Sequence, residues 1–149
     1  MELSEVLALV PQQAPFRFID RIVELDENRI VGSYRFKTDE FFYLGHFPKN
    51  PVTPGVILIE TMAQTGVVAL GLYLTSLSLP AAEVKSWTTF FTDCQIEFFK
   101  PVYPGESVIV KAEKIYWRKM KLKSSVKMFS ESGDLIAEGT LSGVGVKNA

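Results

Sequence analysis

Two side chains near the middle of the chain have the right types for acid–base chemistry. His46 is the only histidine, and imidazole titrates near neutral pH, which suits a general base or acid. Glu60 lies in an apolar segment, where a carboxylic acid has a raised pKa and can donate a proton. Such a pair could remove a proton from one atom and protonate a leaving group on the next. A hydrogen-bonded loop histidine and a glutamate paired with a lysine fit the residues equally well.

A stiff loop separates the two residues. Pro48, Pro51 and Pro54 remove three backbone donors and fix three φ angles. We therefore expect the loop to hold His46 at a fixed distance from the next helix. Gly55 follows at the predicted helix N-terminus. Its backbone N–H is not covered by a side chain, and together with the positive end of the helix dipole it can bind a polar group of a ligand.

The segment after this loop predicts one long helix. No proline occurs between Pro54 and Pro80, so about 20 residues can form a helix of roughly 30 Å. Residues 56–74 are apolar on all sides, which is typical of a fully buried helix or a membrane span. Four residues argue against membrane insertion: Glu60, Gln64, Gly66 and Gly71. We predict a buried central helix whose glycines mark close packing against a sheet.

The flanking segments predict an antiparallel sheet. Ser4 is expected to cap a short helix that runs to Val10 before Pro11. Hydrophobic patterning predicts strands at 16–25, 29–37, 83–99, 107–116, 122–130 and 135–146. The short links between consecutive strands predict antiparallel neighbours. The expected fold class is α+β, with residues 1–149 forming one domain in which a six-stranded antiparallel sheet curls around one central helix.

Composition excludes several classes of function. A net charge of −1 argues against nucleic acid as the main partner. One cysteine, Cys94, excludes an intrachain disulfide and fits a reducing compartment, and the N-terminus does not resemble a signal peptide. We therefore expect a cytoplasmic protein. One histidine and one cysteine do not make a zinc set, and no glycine-rich phosphate loop follows a strand.

A basic run lies between two predicted strands. Its members are Arg118, Lys119, Lys121 and Lys123. Such a run usually forms a solvated turn and strand face, but it could also dock an acidic partner.

The central segment GHFPKNPVTPGVILIETMAQ resembles the signature of the FabZ-like (3R)-hydroxyacyl-acyl carrier protein dehydratases. PQQAPFRFIDRIVEL and IEFFKPVYPGESV resemble two flanking segments of that family, so the resemblance extends over most of the chain. It implies the hotdog fold, a homodimer that could assemble into a trimer of dimers, and no cofactor. Lys49 and Thr61 depart from the family pattern, and segment 75–92, where the acyl tunnel is usually shaped, resembles it little.

The resemblance also implies roles for individual residues. The reaction is loss of water from a 3-hydroxyacyl thioester to give the trans-2-enoyl thioester, in fatty acid or related acyl-chain synthesis. His46 of one subunit would take the proton alpha to the carbonyl, and Glu60 of the other would help the beta-hydroxyl leave. Five residues would bind substrate: Phe47, Pro54, Gly55, Val56 and Gln64.

Within this set, the Gly55 N–H would polarise the thioester carbonyl and Gln64 would orient Glu60. The implied partner is acyl carrier protein with a phosphopantetheine-linked acyl chain. Because carrier proteins are acidic, we expect the basic run to be their docking surface. Two alternatives stay open from the sequence. One is an acyl thioesterase of the same fold, and the other is a non-catalytic binder of acyl chains or carrier protein.

Overall fold

The computed structural model describes all 149 residues, and its elements follow the predicted order. They are helix α1 (Leu3–Leu9), strands β1 (Arg21–Leu25) and β2 (Arg29–Arg35), a 3-10 turn (Phe41–Leu44), the central helix (Gly55–Ser76), a one-turn helix (Ala81–Val84), and strands β3 (Trp87–Phe98), β4 (Ser107–Arg118), β5 (Lys121–Ser130) and β6 (Leu135–Lys147).

The six strands form one antiparallel sheet in the order β1-β2-β4-β5-β6-β3. This confirms the predicted sheet and the α+β class. The prediction that β3 and β4 are neighbours was wrong, because both edges of β4 are occupied by β2 and β5. β3 instead pairs along its length with β6, from Trp87 opposite Lys147 to Phe98 opposite Ala137. β3 therefore becomes one edge of the sheet, and the short strand β1 becomes the other.

The central helix runs through the concave side of this sheet, which is the hotdog arrangement. Its most apolar stretch has a mean hydropathy of 1.6, enough by length and composition to cross a membrane, but 78% of that stretch is buried inside the protein. The predicted single buried helix is confirmed. One turn, Gln64–Ala69, is wound as a π-helix, which hydrophobic periodicity does not predict.

The two helix glycines differ in how closely the sheet approaches. A Cβ atom on Gly66 would lie 3.0 Å from both Ala112 Cβ and Val126 Cγ2, on β4 and β5. A Cβ atom on Gly71 would meet only Leu122 Cδ2, at 3.8 Å. Close packing therefore explains Gly66, as predicted, but does not demand glycine at position 71.

Three predicted boundaries were wrong, two for local reasons and one because of a contact distant in the sequence. Glu2, and not Ser4, is the N-cap of α1, in a capping box completed by Glu5. The strand predicted from residue 16 begins only at Arg21, because backbone groups of Phe16 and Phe18 bond the side chain of Gln64. The strand predicted from residue 83 begins at Trp87, because residues 81–84 turn helical after Pro80.

Candidate active site

His46 follows the 3-10 turn and presents one free ring nitrogen. Its Nδ1 lies 2.7 Å from the carbonyl oxygen of Val52. A carbonyl can only accept, so Nδ1 carries the hydrogen and Nε2 of the neutral ring carries the lone pair. The ring stacks on Phe47, with centroids 4.3 Å apart. The imidazole is therefore oriented by the backbone with Nε2 available to accept a proton.

The loop that carries His46 is closed by hydrogen bonds on both sides. The Val52 N–H donates to the His46 carbonyl at 2.9 Å, and the Thr53 N–H donates to the carbonyl of Val102 at 2.8 Å. The hydroxyls of Tyr43 and Thr53 lie 2.7 Å apart, and burial raises the pKa of Tyr43. These contacts, together with the prolines, fix the loop between the 3-10 turn and the central helix.

The helix start offers unpaired backbone donors. The N–H groups of Ile57 and Leu58 both donate to the carbonyl of Pro54, at 2.9 and 3.1 Å, whereas those of Gly55 and Val56 have no acceptor in the chain. Such groups, at the positive end of the helix dipole, favour a negatively charged oxygen. The ring of Phe98 lies over Gly55, 3.3 Å from where a Cβ would stand.

Glu60 is half-buried in the second turn of the helix. Burial raises the pKa of its carboxyl above the usual value, and the hydrogen bond from Gln64, at 2.9 Å, opposes this only in part. The chain's two ion pairs, Arg29–Glu24 and Lys100–Asp134, do not involve it. The alternative of a glutamate paired with a lysine is therefore wrong for the isolated chain.

Gln64 is fully buried, and its amide orientation is set by the backbone. Its Oε1 accepts from the Phe18 N–H at 2.7 Å, and its Nε2 donates to the Phe16 carbonyl at 3.0 Å as well as to Glu60. Because a backbone N–H must face Oε1, the amide cannot flip, and its second N–H has to point at Glu60.

Glu60 lines a cavity of about 50 Å³ between the helix and strands β3 and β6. The other lining residues are Gln12, Ala63, Val67, Val68, Thr89, Phe91 and Ser142. A second cavity shares Val67 and Thr89 with the first and continues along the helix to Trp87, Trp117 and Met120. The second cavity holds only about 10 Å³, and the two cavities follow each other along the helix from the carboxyl towards the β4–β5 hairpin.

No hydrogen bond joins His46 to Glu60 within one chain, since His46 bonds Val52 and Glu60 bonds Gln64. The chain does bring Gln64 to Glu60, and it places Phe47, Pro54, Gly55 and Val56 around the loop and the helix start. No group of three or more His, Cys, Asp or Glu side chains is arranged to hold a metal ion.

The basic run lies on the β4–β5 hairpin. Its members Arg118, Lys119, Lys121 and Lys123 form no ion pair in the chain. The guanidinium of Arg118 stacks over the ring of Tyr116, 4.6 Å from its centroid. Lys119 and Met120, at the hairpin tip, have φ angles of 50° and 63°.

Sequence reasoning missed two residues at the site, Gln12 and Phe98. Gln12 lines the Glu60 cavity, and Phe98 covers the helix start. Both lie in the flanking segments that carry the family resemblance, but neither residue type by itself signals a site.

A family model described as a FabA-like domain matches residues 10–141. The chain is 35% identical over 145 residues to the 3-hydroxyacyl-[acyl-carrier-protein] dehydratase FabZ of Roseiflexus castenholzii, covering 95% of this chain and 94% of the relative. It is 35% identical over 142 residues to the protein of the same name from Syntrophobacter fumaroxidans, covering 95% and 91%.

Solved structures share the fold at low identity. A dehydratase heterocomplex from Xenorhabdus doucetiae matches with a TM-score of 0.75 and 14% identity, covering 95% of this chain and 91% of that chain. A thioesterase mutant from Pseudomonas aeruginosa matches with a TM-score of 0.67 and 12% identity, covering 99% and 95%.

Proposed function

The chain belongs to the FabA-like family, and we propose that it is a 3-hydroxyacyl-[acyl-carrier-protein] dehydratase. It removes water from (3R)-hydroxyacyl thioesters to give trans-2-enoyl thioesters, in the synthesis of fatty acids or related acyl chains. The curated relatives carry this name and align over nearly their whole length. One geometric observation carries the proposal, namely a carboxyl that a buried amide holds in the wall of a cavity.

In the proposed reaction, His46 Nε2 takes the proton from the carbon alpha to the thioester carbonyl. Charge that develops on the carbonyl oxygen meets the free N–H groups of Gly55 and Val56, which are already in place. Glu60 gives a proton to the beta-hydroxyl, which leaves as water as the double bond forms. Phe47, next to His46, and Pro54, the N-cap of the central helix, would lie beside the reacting carbon atoms.

The proposal requires two copies of the chain, because His46 and Glu60 do not meet in one. Strand β3 supports this requirement, since it is a twelve-residue edge strand with exposed aromatic rings, including Phe90, Phe91 and Phe98. Long unpaired edges of this kind pair readily with another strand. Leu44, two residues before His46, is 83% exposed, and Val56, at the start of the central helix, is 71% exposed. We propose a homodimer in which the β3 strands of the two subunits pair antiparallel and cover these residues. Each site would then combine His46 of one subunit with Glu60 of the other.

The proposed partner is acyl carrier protein, and the proposed setting is the cytoplasm. The unpaired cations of Arg118, Lys119, Lys121 and Lys123 suit an acidic carrier. Reversing two of them with Arg118→Glu and Lys119→Glu should weaken the use of carrier-bound substrate more than the use of an N-acetylcysteamine thioester. Equal losses on both substrates would reject docking at this hairpin.

Product analysis tests the function itself. The protein is incubated with (3R)-hydroxyacyl carrier protein thioesters of graded chain length, and the products are identified by mass. The proposal predicts a mass loss of one water with the thioester intact. Release of free thiol without an enoyl product would identify a thioesterase, and tight binding without turnover would identify a non-catalytic binder.

A further inference from the structure

One buried side-chain polar atom has no hydrogen-bond partner in the chain. Among buried side-chain nitrogen and oxygen atoms, only Gln12 Oε1 lacks a hydrogen bond. A buried carbonyl oxygen without a donor costs about 1–3 kcal/mol, so its position calls for an explanation. Gln12 lines the same cavity of about 50 Å³ as Glu60, and a cavity of this size has room for a water molecule or a hydroxyl group.

No other group in the cavity wall supplies the missing donor. Both N–H groups of Gln64 are engaged, by Phe16 and by Glu60. The hydroxyl of Ser142 donates to the carboxylate of Asp93 at 2.7 Å. Thr89 makes no hydrogen bond to Gln12. The Glu60 carboxyl bonds Gln64 and makes no hydrogen bond to Gln12. The other lining residues are apolar, namely Ala63, Val67, Val68 and Phe91. No side chain of this wall bonds Gln12 Oε1, so the place of its donor is open to a molecule that enters the cavity.

We infer that Gln12 Oε1 accepts a hydrogen bond from the 3-hydroxyl group of the bound substrate, and thereby selects hydroxylated over saturated acyl chains. This inference rests on the proposed function. When an amide oxygen accepts the hydroxyl hydrogen, the lone pairs of the same hydroxyl oxygen remain free to accept a proton from another group. With Glu60 in the same cavity wall, the two side chains are complementary to one hydroxyl, one as acceptor and one as proton donor.

The contact becomes stronger as the reaction proceeds. The Glu60 proton moves to the hydroxyl oxygen. The bond between the beta-carbon and this oxygen breaks, and the electron pair of that bond leaves with the water. His46 removes the proton from the alpha-carbon, and the electron pair of that carbon–hydrogen bond forms the double bond. A departing water with partial positive charge is a better donor than a neutral hydroxyl. Gln12 should therefore stabilise the transition state more than the ground state, and its loss should lower kcat more than it raises KM.

The test compares Gln12→Met, which keeps the length of the side chain but removes the acceptor, with Gln13→Met as the matched control. Gln13 is the neighbouring glutamine, and its Nε2 donates to the Val10 carbonyl at 3.2 Å. On a (3R)-hydroxyacyl N-acetylcysteamine thioester, Gln12→Met should lose about tenfold in kcat/KM, mostly in kcat. Gln13→Met should retain wild-type values.

Binding is measured in the His46→Ala background, which blocks turnover, with hydroxylated and saturated thioesters of one chain length. Adding Gln12→Met should abolish the preference for the hydroxylated chain and leave the affinity for the saturated chain unchanged. Gln12→Asn, which draws the amide back by one methylene, should give the same loss of preference. Thermal unfolding shows which variants fold. If one of Gln12→Met and Gln12→Asn fails to fold, the binding comparison with the other still tests the inference.

The two hypotheses fail separately. If Gln12→Met keeps wild-type turnover, or changes the binding of both thioesters equally, Gln12 only fills space or holds a water, and this inference is overturned while the dehydratase stands. If the wild-type protein forms no enoyl product, the proposed function fails. The binding comparison still decides what Gln12 contacts.

Discussion

Gln64 donates a 2.9 Å hydrogen bond to the Glu60 carboxyl from an amide whose other two contacts are to the backbone of Phe16 and Phe18. The orientation of the acid thus depends on the segment that precedes β1, far away in the sequence. In the proposed reaction, a carboxyl fixed in this way would need no reorganisation before it transfers its proton.

Gln64→Leu should separate the two roles of this amide. It leaves the buried Phe18 N–H and the partly buried Phe16 carbonyl without partners. This should lower the free energy of unfolding by about 1–3 kcal/mol for the Phe18 N–H and by less for the Phe16 carbonyl. The hydrogen bond from Gln64 lowers the pKa of Glu60, so its loss should move the alkaline limb of the kcat profile to higher pH. Denaturant unfolding and pH–rate profiles measure the two effects, with Gln13→Leu as the control. An unmoved alkaline limb would contradict the orienting role.

Glu60→Gln should change how stability depends on pH. Burial raises the folded-state pKa of Glu60 above its unfolded value, near 4.5, so the folded state holds this proton more tightly. Glu60 therefore favours folding at pH values below 4.5, and that contribution is lost as the pH rises through the folded-state pKa. Relative to the wild type, the variant should gain stability between acid and neutral pH, by about 1.4 kcal/mol per unit by which the folded-state pKa exceeds the unfolded one.

The measurement is urea unfolding at a series of pH values. Glu27→Gln, at an exposed turn residue, corrects for the loss of one charge. A stability difference between Glu60→Gln and the wild type that does not vary with pH would show that the carboxyl is not desolvated in the folded protein.

The two helix glycines should respond oppositely to alanine. Gly71→Ala should stabilise the protein by up to about 1 kcal/mol, because the new methyl meets only Leu122 at 3.8 Å and alanine is the better helix former. Gly66→Ala should destabilise it by about 1–3 kcal/mol, because the methyl would press against Ala112 and Val126 at 3.0 Å. Thermal unfolding of the pair tests this, and equal shifts in Tm would contradict the packing that the helix makes with β4 and β5.

Cys94, in the middle of exposed strand β3, reports on the proposed dimer. Cys94→Lys places a charge on the edge that would pair with a second copy, and charged edge residues block strand pairing. We expect this variant to be monomeric and inactive, whereas Cys94→Ser stays dimeric and active. Sedimentation measures the mass. A dimeric Cys94→Lys variant would place the interface elsewhere.

The sequence predicted the parts of the fold that depend on local patterning. The central helix follows from the apolar run between Pro54 and Pro80, and the long strands follow from their period of two. The neighbours of β3 could not be predicted in this way, because strand order depends on which edges remain free after β2, β4 and β5 have paired. The late start of β1 likewise depends on hydrogen bonds from Gln64, which is distant in the sequence.

The site was predictable by residue type and only partly by geometry. His46 and Glu60 stood out because a lone histidine and an acid in an apolar helix are unusual. The free Nε2 of His46 depends on a contact with Val52 inside a closed loop, which spacing does not reveal. Gln12 carries no charge and no motif of its own, so only the unpaired oxygen in the Glu60 cavity identified it.

The central claim is that His46 of one subunit and Glu60 of the other form each site, and purified heterodimers test it directly. A heterodimer of a His46→Ala chain and a Glu60→Gln chain has one intact site by symmetry and should recover about half of the wild-type rate, although both parent dimers are inactive. A heterodimer of a wild-type chain and a His46→Ala, Glu60→Gln double variant should be inactive. An inactive first heterodimer and a half-active second one would contradict the account, since both residues would then act within a single chain.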